Sequence, residues 1–493
     1  MSNHSPTSEV LPGSSNPTAG NQPSVAEIDR SCALPVLLLF KGAVVWLLLA
    51  SVLGWMSAIK MHVSVFLAES AWLTYGRIYP AALNLFVYGF AAQIGLGLTL
   101  WLFARLGRTR LQGAPFVILA TIGWNIGIVL GVGGILAGFS TGQPWLEMPA
   151  AVAPLLWASY LVIAVAAANT FRARTERTLY PSQWHLLAAL LWFPWIYSTA
   201  HLLLTYFPVR GVMQVIVNGW YFQNLQSVWL SLLGLAALYY LIPKCLGKPL
   251  WSGPLAAFSF WTLLLFGSWG GVHTGMPVPR WLGEVSMIMA VMTLMPIFAV
   301  ALNFHHTFKG AYSRLGKDPV LACAVFGFFC YLLANILGVA GRLPMLRERT
   351  MFNLYFEGVA QLYFQGFLGM TLLAVLYHVV PALTDVEWPS PGLVRFQVWL
   401  AALGAVMSAA PLFPGGYFLG AAFASPGFEG SELSARVLLY LGVSTLGKLF
   451  VMGAAFLITV SFFSQLVRYC LKCCTCSVGR HPATANAPAP SRA

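Results

Sequence analysis

The sequence predicts an all-α, polytopic membrane protein. Of its 493 residues, 58% are hydrophobic and only 8% are charged. A soluble protein carries roughly a quarter charged residues, so this chain cannot cover a water-facing surface. The apolar residues also fall in runs of about 20 or more, the length at which a helix crosses a bilayer. The net charge of +13 is not gathered on one patch, which argues against a nucleic-acid partner. Basic residues sit instead in short clusters between apolar runs, where they set orientation in a membrane.

Residues 1–30 are rich in Ser, Pro, Asn and Gly and have no apolar core, so they read as a disordered tail and not as a cleaved signal. Twelve apolar segments follow, at roughly 33–59, 80–105, 114–139, 149–171, 183–206, 213–243, 253–272, 281–303, 319–341, 354–382, 394–412 and 438–467. Twelve spans return both ends of the chain to one side. Loops on that side carry Arg105, Arg108, Arg110, Arg172, Arg174, Arg177, Lys244, Lys248, Lys309, Arg314 and Lys317, and the stretch after the last span adds Arg468, Lys472 and Arg480. The other side holds fewer, so both termini are expected in the cytoplasm. The expected organisation is a tail over 1–30, a twelve-helix membrane domain over 31–468, and a cytoplasmic tail over 469–493 that is first Cys-rich and then disordered.

Ionisable groups inside a span are expensive and mark candidate functional sites. Here they are His201, His273, His305, His306, His378, Lys448 and Glu357. His305 and His306 are adjacent, so on a helix they point about 100° apart and cannot face one metal; both read as interface histidines. His378 falls near a helix end and reads as capping or interface packing. Lys448 reads equally as a buried functional cation and as a side chain that snorkels or pairs with a buried acid.

Several stretches, in chain order, resemble subunit I of the haem-copper terminal oxidases, in particular the cbb3-type core subunit. They are "YGRIYPAALN" (75–84), "AGFSTGQPWLEMPAAVAPLLWASYLVIAV" (137–165), "NGWYFQNLQSVWLSLLGLAALYYLIPKCLGKPLWS" (218–252), "FWTLLLFGSWGGVHTGMP" (260–277) and "LYFQGFLGMTLLAVLYHVVPAL" (362–383). The resemblance implies the twelve-helix bundle, a bacterial inner-membrane location, and a core that reduces O2 at a high-spin haem facing copper, fed by a low-spin haem. It also implies six histidine ligands. At the low-spin haem positions this chain has Ala82 and Phe364; at the high-spin haem position, Leu362; at the copper positions, Gln223, His273 and Thr274; and Gly267 stands at the redox tyrosine.

Alanine, leucine and phenylalanine cannot bind iron, and glutamine and threonine are hard ligands poorly suited to Cu(I) or haem iron. Five of the six ligand positions therefore lack histidine. His273 resembles a surviving copper ligand without partners and reads as a structural histidine. Other matches remain: Tyr355 and Glu357, Glu147, and the non-ligand histidines His201 and His378. Phe364, Phe367 and Leu362 are expected to fill the volume that a haem would take, since an empty cavity costs several kcal/mol in lost contacts.

One feature lies outside the resemblance. "RYCLKCCTCSVGRH" carries Cys470, Cys473, Cys474 and Cys476, dense enough for Zn or Cu(I), or else a lipidated juxtamembrane cluster or tolerated thiols. The expected function is thus a non-catalytic, accessory or assembly subunit of a respiratory membrane complex, without cofactors, whose partners are the bilayer and other respiratory subunits or a c-type cytochrome. Two alternatives stand beside it. One is a working terminal oxidase or nitric oxide reductase with haem b and copper. The other is a transporter or channel with Lys448, Glu357, His273 and Gln223 as polar lining.

Overall fold

A computed structural model of the chain describes residues 23–63, 65–272, 276–424 and 430–478, with only the backbone for 430–436 and 475–478. It is a bundle of membrane-length helices: α1 Val25–Lys60, α2 Tyr75–Leu106, α3 Ala114–Ala137, α4 Ala150–Arg172, α5 Pro181–Tyr206, α6 Val212–Leu246, α7 Gly253–Gly267, α8 Arg280–Phe308, α9 Pro319–Ala340, α10 Leu354–Thr384, α11 Pro391–Phe423 and α12 Gly430–Val478. Eleven of these are long and apolar enough to cross a membrane, among the described residues. The expected seventh span, 253–272, differs: α7 has 15 helical residues, about 22 Å at 1.5 Å per residue, and residues 268–272 continue it without helical bonding.

The helices start where polar caps meet apolar runs. Ser24 and Glu27 form a reciprocal capping box at α1, which satisfies two free N–H groups. Helix therefore begins at Val25, inside the stretch expected to be a disordered tail. Ser252, Asp318, Asn353 and Ser390 accept from backbone N–H groups at the starts of α7, α9, α10 and α11. At the other end of the chain, α12 runs on through the cysteines to Val478, past the boundary expected at 468.

α1 packs along both α2 and α12, and α12 along α11, so the first and last helices meet. One face of the bundle gathers the basic loops and both ends of the described chain. Asp29 pairs with Arg105, Glu27 with Arg110 at 3.3 Å, and Lys472 with Asp385 at 2.6 Å. Lys248 Nζ donates to the Lys309 carbonyl at 2.9 Å. The opposite face carries the loops 61–74, 138–149, 207–211 and 341–353.

Candidate functional site

Three helices form the interior. The apolar stretch of α2 is 94% buried and those of α6 and α10 are 83% buried, against 33–50% in the other spans. Each also changes its winding. Hydrogen bonding slips to i→i+5 over Leu85–Ala91, Asn224–Leu230 and Leu362–Gly369. Such π-turns re-aim side chains and concentrate at functional sites. Ala82, Gln223, Leu362 and Phe364 all lie inside these three segments or within one turn before them.

Ala82 and Phe364 line one cavity of about 110 Å³, walled also by α1, α11 and α12. The Phe364 ring meets Phe86 edge-on at 5.9 Å and stacks on Trp145 at 5.3 Å; Trp145 stacks in turn on Phe222 of α6 at 5.3 Å. Trp145 enters from the loop 138–149 with φ of +69°, a left-handed conformation that costs a non-glycine residue about 1 kcal/mol or more. The two stacks and the Tyr88 hydroxyl, which donates to the Trp145 carbonyl at 2.9 Å, hold it there. Tyr88 also bonds Tyr221 of α6, O to O 2.7 Å. Of the three side chains expected to fill a haem-sized volume, Phe364 lines this cavity. Phe367 turns instead to Tyr331 and Tyr363, at 4.7 and 5.3 Å, and Leu362 is buried outside the cavity wall.

The cavity has one polar edge. Lys448 Nζ lies 3.8 Å from Glu357 Oε1. Glu357 also accepts from the Tyr79 hydroxyl at 2.9 Å and from Gln361 Nε2 at 2.6 Å. Lys448, itself buried, thus pairs with a half-buried acid, and the two hydrogen bonds offset part of the cost of partly desolvating that acid.

Gln223 does a different job. Its Nε2 donates to the Gly267 carbonyl at 3.1 Å, and Asn224 Nδ2 donates to the Ser268 carbonyl at 3.1 Å. The last carbonyls of a helix have no partner within it; these two amides supply partners for the end of α7. The chain then presses onto α6, with Gly271 at φ +100° opposite Gly219, where a Cβ on either residue would overlap the other's carbonyl. His273 and Thr274 come next and lie outside the described residues.

Residues 35–455 match the family described as Cytochrome C and Quinol oxidase polypeptide I. The chain belongs to this family, the haem-copper oxidase subunit I proteins. It is similar to a cytochrome c oxidase subunit 1 homolog of Azorhizobium caulinodans, 26% identical over 77% of this chain and 71% of the relative. It is also similar to the cbb3-type cytochrome c oxidase subunit CcoN1 of Stutzerimonas stutzeri, 23% identical over 76% and 81%. A bacteroid cytochrome c oxidase subunit 1 homolog of Bradyrhizobium diazoefficiens is 25% identical over 78% and 72%.

The described side chains at the ligand positions that the family resemblance points to, those of Ala82, Gln223, Leu362 and Phe364, do not fit a haem iron or a copper ion. Ala82, Leu362 and Phe364 carry no donor atom, and the Gln223 amide is engaged with backbone. Among the described residues, no three His, Cys, Asp or Glu side chains lie close enough to share an ion. The histidines matched to non-ligand positions of the family pack against rings: His201 on Tyr197 at 4.4 Å, and His378 on Tyr240 and Trp101 at 5.7 and 6.1 Å. His306 stacks on Trp251 at 4.2 Å, while His305 Nδ1 meets the Tyr312 hydroxyl at 3.2 Å, so the two face different neighbours. Cys470, Cys473 and Cys474 are exposed on the last turns of α12; the Cys476 side chain lies outside the described ones. Glu147 accepts from Asn84 Nδ2 at 2.8 Å, and burial holds its carboxyl above the usual range.

Sequence reasoning missed Trp145, Tyr79, Gln361 and Asn224. Trp145 had one local signal, a large aromatic in a Gly- and Pro-rich loop. The other three are ordinary helix residues whose roles come only from the partners that the bundle brings to them.

Proposed function

We propose that this chain is a non-catalytic member of the subunit I family, an accessory or assembly subunit of a respiratory complex in a bacterial inner membrane, with both termini in the cytoplasm. The observation that carries this reading is the Phe222–Trp145–Phe364 stack. It runs from α6 to α10 through the interior of the bundle and ends at a residue that lines the cavity beside Ala82. The remaining space of about 110 Å³ is well short of the roughly 300–1,000 Å³ of a pocket for a drug-sized ligand. The commitment of Gln223 to the end of α7 supports the same reading. A retained fold does not carry a retained reaction with it. What the frame still offers is the outer surface of a core subunit, on which other respiratory subunits or a c-type cytochrome dock.

The test has two parts. Purified protein supplied with O2 and a reduced c-type cytochrome is expected to oxidise it no faster than a heat-denatured control. Affinity purification from native membranes in mild detergent is expected to bring down respiratory-complex subunits in stoichiometric amounts. Catalytic turnover, or a chain that always purifies alone, would overturn the reading.

A further inference from the structure

Lys41, in α1, is a further ionisable residue inside a span. It is exposed and lines an open groove of about 440 Å³ between α1 and α3. The walls are two stripes at helical spacing: Leu38, Lys41 and Val45 on α1, and Ile122, Ile126 and Val129 on α3. The three α3 residues are about half exposed.

The depth of Lys41 follows from its neighbour in the chain. A Cβ at Gly42 would stand 2.7 Å from Asn125 Oδ1, so the two helices are level there. Asn125 is the twelfth of the 24 residues of α3, about 17 Å from either end at 1.5 Å per residue. Lys41 therefore stands at mid-span, too deep for its side chain to snorkel to an interface. The Asn125 amide on the groove floor is served by its own chain. Trp46 Nε1 donates to its Oδ1 at 2.7 Å, and its Nδ2 donates to Gln93 Oε1 at 3.1 Å. Lys41 is not served: among the described residues its ammonium has no ion pair or hydrogen bond, and no carboxylate lines the groove.

Ionisable residues inside a membrane face a protein interior or pair with one another, and one left facing hydrocarbon is strongly disfavoured. We propose that the groove seats a membrane-spanning helix of a different subunit, which carries Asp or Glu near its middle to pair with Lys41. Two parallel stripes with a channel between them take a helix along its length, anchored at i, i+3, i+4 and i+7. Polar contacts between helices hold such an association together where the hydrophobic effect does not. A second copy of this chain is the wrong occupant. The carboxylates on its own membrane helices, Glu27, Asp29, Glu284, Glu357 and Glu432, all stand in the first two turns of their helices, so a second copy brings no acid to mid-span. The inference rests on the part of the proposed function in which other subunits dock on this chain, and not on the loss of catalysis.

The test places the photo-crosslinker p-benzoylphenylalanine at Ile126 of the full chain. Native membranes are irradiated and the adducts identified by mass spectrometry. The expected adduct is to a different membrane protein, on a helix with Asp or Glu near its midpoint. Lys41→Met should lower its yield about threefold or more, and Lys41→Arg should keep it. Lys41→Glu together with a lysine in place of the partner's acid should restore it. In detergent, isolated Lys41→Met should melt no lower than wild type, because it breaks no contact of this chain. A lower melting point would show that Lys41 serves its own fold, and would overturn the proposal. So would adducts only to lipid or to a second copy, a crosslinked helix without a mid-span acid, or equal yield from Lys41→Met. Respiratory subunits that co-purify while Ile126 gives no protein adduct would overturn this inference and leave the docking reading standing.

Discussion

Around Ala82 and Phe364 the interior is held by stacked rings and one ion pair, with about 110 Å³ left open beside them. Around Gln223 it is held by amide-to-backbone hydrogen bonds and by two glycines in close contact. The first region lies on α2 and α10 and the second on α6 against the end of α7, and each of the deeply buried helices α2, α6 and α10 has a widened π-turn there. They differ in what holds them. In the first, apolar side chains meet and packing is incomplete. In the second, a polar side chain finds its acceptor at the end of a helix. The interior is thus closed in two ways: by volume where the wall is apolar, and by hydrogen bonding where a helix end has carbonyls to satisfy.

The largest expected effect is at the polar edge of the first region. Lys448→Met leaves the half-buried Glu357 without its cation, with only Tyr79 and Gln361 still donating to it, and should cost about 3 kcal/mol, the low end of the range for breaking a buried pair. Lys448→Met with Glu357→Gln should recover most of that loss in thermal melts, because it removes both charges. A double variant as unstable as the single one would show that the pair is not what Lys448 serves.

In the second region, Gly271→Ala should cost about 3 kcal/mol, from the left-handed backbone and the overlap with the Gly219 carbonyl. A neutral result would mean that residues 268–272 do not lie tightly on α6. Gln223→Leu should cost about 1–3 kcal/mol, the penalty for leaving the Gly267 carbonyl without its donor. Gln223→Glu should lose stability too, since a carboxylate cannot donate to that carbonyl.

The opposite sign is expected for filling the first region. Ala82→Val adds two methyl groups at the cavity wall and should be neutral or stabilising by up to about 1 kcal/mol. A loss greater than 1 kcal/mol would mean that the space is not available. The smallest effect concerns Glu147, just outside the spans. Its carboxyl is raised by burial, so the folded state holds its proton longer than the unfolded chain does. Stability should therefore fall as pH rises from about 4.5, the ordinary value, through the raised value. Glu147→Gln should flatten that slope in melts taken between acid and neutral pH.

Much of this was legible in the sequence. Runs of apolar residues carry the spans, because helix length is fixed by bilayer thickness. Basic loops placed both ends on one face, and the motifs placed Ala82, Gln223, Leu362 and Phe364 on three helices. The rest depends on partners far apart in the chain. That Lys448 meets Glu357 requires α12 to return beside α10. That Gln223 caps α7 requires α7 to stop at Gly267; the glycines Gly267, Gly270 and Gly271 mark that stop, but not which side chain meets it. Trp145 was passed over because a loop residue is not expected to enter a membrane interior. Helix at Val25 and beyond 468 escaped a reading based on composition, since a capping box and a continuing turn are local hydrogen-bond features.

The central claim is that the ligand positions have been given over to packing and capping. The most direct test is an optical spectrum of the purified chain, oxidised and dithionite-reduced, with iron and copper measured on the same sample. The account predicts no Soret band and no stoichiometric iron or copper. One haem b per chain would contradict it, and the interior would then have to hold iron through a residue other than Ala82, Leu362 or Phe364, with His201 and His378 the first to be substituted.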